Sequence, residues 1–172
     1  MPAVRSKPPS KLSLDTNVVL DMARGEEFAH HFRLAFQGAG VELGCPPTVL
    51  DELGDQVANG ETKELQQLAA VALLSFSDWG VREWSVPPVE NGICLRFYEH
   101  LVSKRLLNPR ERNDGLILAE TSCCRAEYLV TSDGELLGIA DKDLRRALEE
   151  MDLPPVDVVS PRLLAKRLKR IR

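Results

Sequence analysis

Apolar residues fall in short clusters along the chain, separated by polar or proline-rich punctuation. Leu12 and Leu14, then Val18, Val19 and Leu20, surround the polar triplet Asp15-Thr16-Asn17. That pattern predicts a buried strand that ends at Asp15 and turns into a helix. Phe28, His31, Phe32, Ala35 and Phe36 follow at helical spacing until Gly38 and Gly40 stop the helix. Residues 41–45 read as a short second strand, and Pro46-Pro47 breaks the chain before a helix from Thr48 to about Ala58. Over 61–76, Leu65, Leu68, Ala69, Ala72, Leu73 and Phe76 form one apolar stripe. A strand over 81–86 is closed by Pro87-Pro88, and Ile93, Phe97 and Leu101 mark another helix. Pro109 precedes a helix over about 113–124, and 128–131 form a compact strand followed by the turn Ser132-Asp133-Gly134. A helix over 144–150, a strand over 156–159 and a terminal helix opened by Pro161 complete the pattern. It is least regular over 77–112.

Strands alternating with helices predict an α/β fold, a three-layer α/β/α sandwich around a mainly parallel sheet. The 172 residues fit a flexible N-terminal arm, 1–10, and a single domain, 11–172, closed by a basic helix. No internal repeat interrupts that plan. No apolar run reaches the ~18 residues of a membrane span. The basic, proline-rich start lacks the apolar core of a secretory signal, so a cytoplasmic location is expected. Cys45, Cys94, Cys123 and Cys124 include no CxxC, and no histidine pair has ligand spacing, so reduced thiols are expected rather than zinc. His30, His31 and His100 form no acid–base dyad in the sequence, and Trp79 and Trp84 read as packing residues. Neither GxxxxGK[ST] nor GxGxxG is present, which argues against a nucleotide cofactor.

The net charge of −4 conceals an asymmetry. Segment 162–172 (RLLAKRLKRIR) holds six Lys or Arg and no acid, and the rest of the chain carries 16 basic against 26 acidic residues. A solvated helix face and an RNA or partner contact both fit such a tail.

Ligands gather at the carboxyl ends of strands in open parallel sheets. Asp15 ends the first strand, Glu52 lies in the helix after the second, Asp133 follows the strand over 128–131, and Asp114 opens the helix before that strand. Taken singly, Asp15 and Asp114 read as helix-terminal residues, Asp133 as a turn residue and Glu52 as an exposed helix residue. Taken together, they suggest convergence at one edge of the sheet. Crowded carboxylates repel and tend to take up protons, and a divalent cation removes that penalty. Mg²⁺ and Mn²⁺ prefer oxygen ligands, and such an ion holds a phosphate, activates water and stabilises a leaving oxygen.

The strings LSLDTNVVLD, PPTVLDEL, NDGLILAE and YLVTSDGEL, with the closing VVSPRLLAKRL, resemble the successive motifs of PIN domains. The resemblance spans about 11–168 and is weak between 77 and 108. It implies a PIN-like fold and a metal-dependent ribonuclease using Mg²⁺ or Mn²⁺. Asp15, Asp114 and Asp133 would be metal ligands, directly or through water, and Glu52 would complete the acidic pocket. Asn17 and Thr131 would orient the carboxylates by hydrogen bonds. As in the VapC-type toxins of that family, an antitoxin protein would cover the pocket, and a homodimer is expected. The family's acid aligns with Glu52 rather than the adjacent Asp51. Thr48-x-x-Asp51 has capping-box spacing, which gives Asp51 a structural explanation. Asp21, Glu120 and Glu135 are candidates for adding to the acidic pocket, with a solvated surface residue as the simpler reading of each. Arg110 and Arg112 are candidates for gripping substrate phosphate at the pocket rim, with a solvated loop as the simpler reading.

Two readings compete with the nuclease. One is a non-catalytic RNA- or protein-binding module whose affinity comes from the basic tail. The other is an aspartyl phosphotransferase with Asp15 as nucleophile. Asn17 stands where a haloacid-dehalogenase-like motif places a second Asp.

Overall fold

A computed structural model describes residues 9–171, with side chains through Arg167. Most of the expected N-terminal arm, Arg172 and the side chains of Lys169 and Arg170 in the basic tail lie outside the described residues. The elements, in chain order, are β1 Lys11–Leu14, α1 Thr16–Arg24, α2 Glu27–Gly38, β2 Glu42–Cys45, α3 Pro47–Asn59, α4 Lys63–Trp79 and β3 Val81–Glu83. They continue as α5 Pro88–Ser103, α6 Arg112–Cys123, β4 Tyr128–Val130, α7 Gly134–Gly138, α8 Asp141–Glu150, β5 Asp157–Val159 and α9 Pro161–Ile171.

The five strands form one parallel sheet in the order β3-β2-β1-β4-β5. With that strand order, the right-handed crossover rule assigns α1 to α4 to one face and α5 to α8 to the other. α4 lies against α1 and α3, α5 lies against α6 and α8, α9 returns to α2, and α3 also meets α6. The strand order reverses between β1 and β4. The crevice outside their carboxyl ends is where this architecture binds ligands.

Local chemistry explains most boundaries. Asp15 caps α1, and Gly25 ends it with φ +80°, a conformation that disfavours side chains. Pro47 opens α3 at a position where its missing N–H is harmless. The Thr62 hydroxyl accepts from Leu65 N at 3.1 Å and caps α4. The apolar stripe of α4 buries Ala69, Ala72 and Phe76.

The strand expected over 81–86 is shorter. Its ladder ends at Glu83, with one further bond from Trp84 N to Cys45 O at 2.9 Å. There the chain leaves the sheet, because the Trp84 indole folds back over β2. Its Nε1 donates to Glu42 Oε1 at 3.1 Å, and the Lys11 ammonium lies 4.2 Å from the ring centroid. A side chain at Gly44 would collide with this ring, a Cβ standing 2.1 Å from it. Gly44→Ala is expected to lower stability by about 1–3 kcal/mol through displacement of the indole. A shifted urea midpoint with altered tryptophan fluorescence would confirm it, and an unchanged midpoint would contradict this packing.

The capping box expected at Thr48 and Asp51 does not form. Pro46 occupies the N-cap position without a side-chain cap bond, and Asp51 is exposed. Thr48 turns instead to α6. Its N and Oγ1 both donate to Glu120, at 2.9 and 2.8 Å. Glu120 is therefore not a solvated residue but 5% exposed, an anion at the N-terminus of α3 where the helix dipole favours it. Burial raises its pKa, and the two Thr48 donors oppose the shift. Glu120→Ala leaves the Thr48 N–H buried without this partner, at an expected cost of about 2–3 kcal/mol in chemical denaturation. A loss below half a kcal/mol would mean that this bond does not fasten α3 to α6.

Candidate active site

The carboxyl ends of β1 and β4 open into a cleft of about 350 Å³, lined by Asp15, Thr16, Asn17, Leu20, Glu52, Asp55, Gln56, Asn113, Asp114 and Asp133. Asp15, Glu52, Asp114 and Asp133, expected from the sequence to converge, all face it. Five of the ten lining residues are carboxylates and none is a Lys, Arg or His.

Asp15 is held at the bottom of the cleft. It is 3% exposed, and both of its oxygens accept hydrogen bonds. Oδ1 accepts from Thr16 N at 2.7 Å, and Oδ2 accepts from Asn17 Nδ2 at 2.8 Å and Thr131 Oγ1 at 2.6 Å. Burial raises its pKa; the Thr131 and Thr16 bonds pull it down, and the nearby Glu52 charge adds to the rise. Asn17 also donates to Thr131 Oγ1 at 3.1 Å, and its Oδ1 accepts from Ser132 N at 2.9 Å. Asn17 and Thr131 thus tie the end of β1 to the end of β4 and hold the Asp15 carboxylate between them.

Asp133 caps the short helix α7, its Oδ1 accepting from Glu135 N and Leu136 N at 2.8 and 2.9 Å. Its own N–H donates to Thr131 Oγ1 at 2.9 Å. The bonds to Oδ1 leave Oδ2 for the cleft. Glu52 is gripped at both oxygens. The Thr16 hydroxyl donates to Oε2, and Asn113 Nδ2 donates to Oε1 at 2.8 Å.

Asp114 differs from the other three. Among the described residues no group donates a hydrogen bond to its carboxylate. Burial, followed by the charges of Asp15, Asp133, Glu111 and Glu52, pushes its pKa to about 7. Its negative charge is the least compensated in the cleft.

Sequence reasoning missed Thr16, Asn113 and Asp55. Asp55 lies three residues after Glu52 on α3, a spacing that places both on one helix face and was the available signal. Thr16 and Asn113 sit inside the motifs DTN and ND, but nothing in those motifs indicates that both grip a glutamate on α3. Arg110 and Arg112 are exposed, just before and at the start of α6, and do not line the cleft. Asp21 is half-buried and forms an ion pair with Arg24 at 3.0 Å, and Glu135 is exposed.

The donors facing the cleft are oxygens, the set that Mg²⁺ and Mn²⁺ prefer. Among the described residues, no group of three His, Cys, Asp or Glu side chains is placed so as to hold a metal ion. Mg²⁺ needs no such group, because it retains several waters when one or two carboxylates hold it. Among the described residues, no helix is long and apolar enough to cross a membrane.

No protein-family model matches the chain, and no curated protein matches it in sequence. Among solved structures, 87% of the chain superposes on 98% of a chain from the crystal structure of VapBC2 from Rickettsia felis bound to a DNA fragment from their promoter. The TM-score is 0.57 and the identity 17%. That likeness establishes the fold, an α/β/α sandwich on an all-parallel sheet, consistent with the PIN-like architecture that the motifs resemble.

Proposed function

We propose that the protein is a metal-dependent ribonuclease of PIN-like type that hydrolyses RNA phosphodiester bonds in the cleft at the ends of β1 and β4. The observation that carries this reading is the charge of the cleft, five carboxylates with no basic residue among its lining. A site so unbalanced calls for a cation, and its all-oxygen donors suit Mg²⁺ or Mn²⁺.

Asp114 and the outer oxygen of Asp133 would hold the ion directly. Asp15, with both oxygens already engaged by donors, and Glu52, pinned by Thr16 and Asn113, would hold its waters. The bound ion would supply charge neutralisation and polarisation of the phosphoryl group. The chain's own part is positional. Thr131 and Asn17 fix the Asp15 carboxylate, which keeps the acids ready in advance rather than at the moment of reaction. Nothing in this arrangement requires a 2′-hydroxyl nucleophile, so single-stranded DNA belongs in the substrate panel.

The fold likeness to a VapBC2 chain suggests, as part of this proposal, a toxin held inactive by a small partner protein that covers the acidic cleft. A homodimer is proposed on the motif resemblance alone. The basic segment 162–172 would contribute affinity for RNA.

The test is labelled single-stranded RNA incubated with the wild type and Asp15→Asn, and binding measured on the same samples. Binding retained by the variant with cleavage lost supports the nuclease. Equal binding by both and no cleavage in Mn²⁺ across a varied RNA set would replace it with the non-catalytic binding module.

A further inference from the structure

We propose that Cys94 and Cys123 form a redox-sensitive pair, which a hydroperoxide converts into a disulfide joining α5 to α6. The inference is independent of the reading of the cleft. The two sulfurs stand 3.8 Å apart across the α5–α6 interface. The helices approach closely because Gly115 has no side chain. A Cβ there would stand 2.7 Å from the Tyr98 ring. A disulfide needs the sulfurs at about 2.05 Å, a closure of about 2 Å within reach of side-chain rotation between packed helices.

The environments of the two thiols differ. Cys94 is 1% exposed, whereas Cys123 is half-buried. The two thiols share one contact in which either sulfur can donate, and Glu90 and Glu120 oppose ionisation of both. Cys123, the more exposed of the two, is therefore the sulfur that an oxidant reaches first. The other two thiols are less reactive. Cys45 is wholly buried, which pushes its thiol far up, and burial pushes Cys124 up to about 11.

The chemistry balances with hydrogen peroxide as oxidant. The Cys123 thiolate attacks one peroxide oxygen, the O–O bond breaks, and hydroxide leaves and takes a proton as the first water. The Cys94 sulfur then attacks the resulting sulfenic acid, the S–O bond breaks, and the departing hydroxyl leaves with the Cys94 proton as the second water. Two thiols lose two electrons, and the peroxide is reduced to two waters. The bond links residues 29 positions apart and fixes the far end of the helix whose first turn carries Asn113 and Asp114.

The test uses the whole chain, reduced, desalted and exposed to a few equivalents of hydrogen peroxide, then alkylated and mapped by mass spectrometry. We expect two of the four thiols to be protected, one linked peptide containing Cys94 and Cys123, full reversal by dithiothreitol, and a melting temperature about 5–10 °C above the reduced form. With Cys94→Ser, dimedone should trap a sulfenic acid on Cys123. Should that variant fail to fold, the wild-type peptide map decides alone. Four alkylated thiols, a bond through Cys124 or between two chains, or a lowered melting temperature would overturn the proposal.

Discussion

Asp114→Asn is expected to abolish cleavage while making the metal-free protein more stable at neutral and alkaline pH. The two effects share one cause. Asp114 is the carboxylate without a hydrogen-bond donor, surrounded by the charges of Asp15, Asp133, Glu111 and Glu52. Its pKa is about 7 in the folded protein, against an ordinary value of 3.8. Between those values the folded state binds more protons than the unfolded state, so stability falls as pH rises through that window. Below pH 4 the group is protonated in both states and costs nothing. Above pH 7 its full cost persists. An amide removes that cost, so in chelator the variant should melt a few degrees above wild type at pH 8, and the gap should close toward pH 4. The gain stays modest because the group is half-buried and solvent screens it. Loss of a direct ion-holding oxygen should lower cleavage by at least about a hundredfold, several kcal/mol of transition-state stabilisation. Thermal melts across pH, with and without Mn²⁺, check the stability half of the prediction. An Asn variant less stable than wild type at pH 8 would show that the Asp114 charge is compensated.

Thr131→Val is expected to give the second large effect, in the opposite direction for stability. The Thr131 hydroxyl is fully buried, donates to Asp15 Oδ2, and accepts from Asn17 Nδ2 and Asp133 N. Valine keeps the shape and loses all three bonds. Asp15 loses the donor that does most to lower its pKa, and Asp133 N is left without that acceptor. The cost should be about 2–3 kcal/mol in urea denaturation, with cleavage about 10–100-fold lower. Thr131→Ser, which retains the hydroxyl, should recover most of both. A valine variant with wild-type stability and activity would show that the hydroxyl does not organise the site.

The contrast between these residues and the rest of the site shows what a sequence exposes. Asp15 and Asp133 were readable because each follows a buried strand and caps the helix after it, whereas Asn17 and Thr131, which bond across 114–116 positions, were reached through the family resemblance. A buried strand that ends in an acid and turns into a helix writes itself as apolar–apolar–Asp–Thr–Asn, and the chain repeats the device at TSD. The grip on Glu52 was not readable. Its donors, Thr16 and Asn113, come from two other segments 36 and 61 positions away, and nothing in a linear pattern pairs them. Glu120 shows the same limit in reverse. A Glu inside a helix reads as solvated, but nearly every residue of α6 from Gly115 to Ser122 is buried. Only Thr48, 72 positions away, makes an acid tolerable there. Trp84 hid the end of β3 for a related reason. The run 81–86 has strand character throughout, and the space above Gly44 decides where the strand stops. The parallel sheet was legible from the alternation of elements. Its order was not, although the right-handed crossover rule narrows the choices.

The most direct measurement is the initial rate at which wild type and Asp114→Asn cleave one labelled single-stranded RNA, in saturating Mn²⁺ and in excess chelator. Wild type is expected to cleave in Mn²⁺ alone, and the variant at a rate at least about a hundredfold lower with the fold intact by circular dichroism. Cleavage that persists in chelator, or an Asn variant as fast as wild type, would contradict the claim that this cleft works through a cation held by its carboxylates.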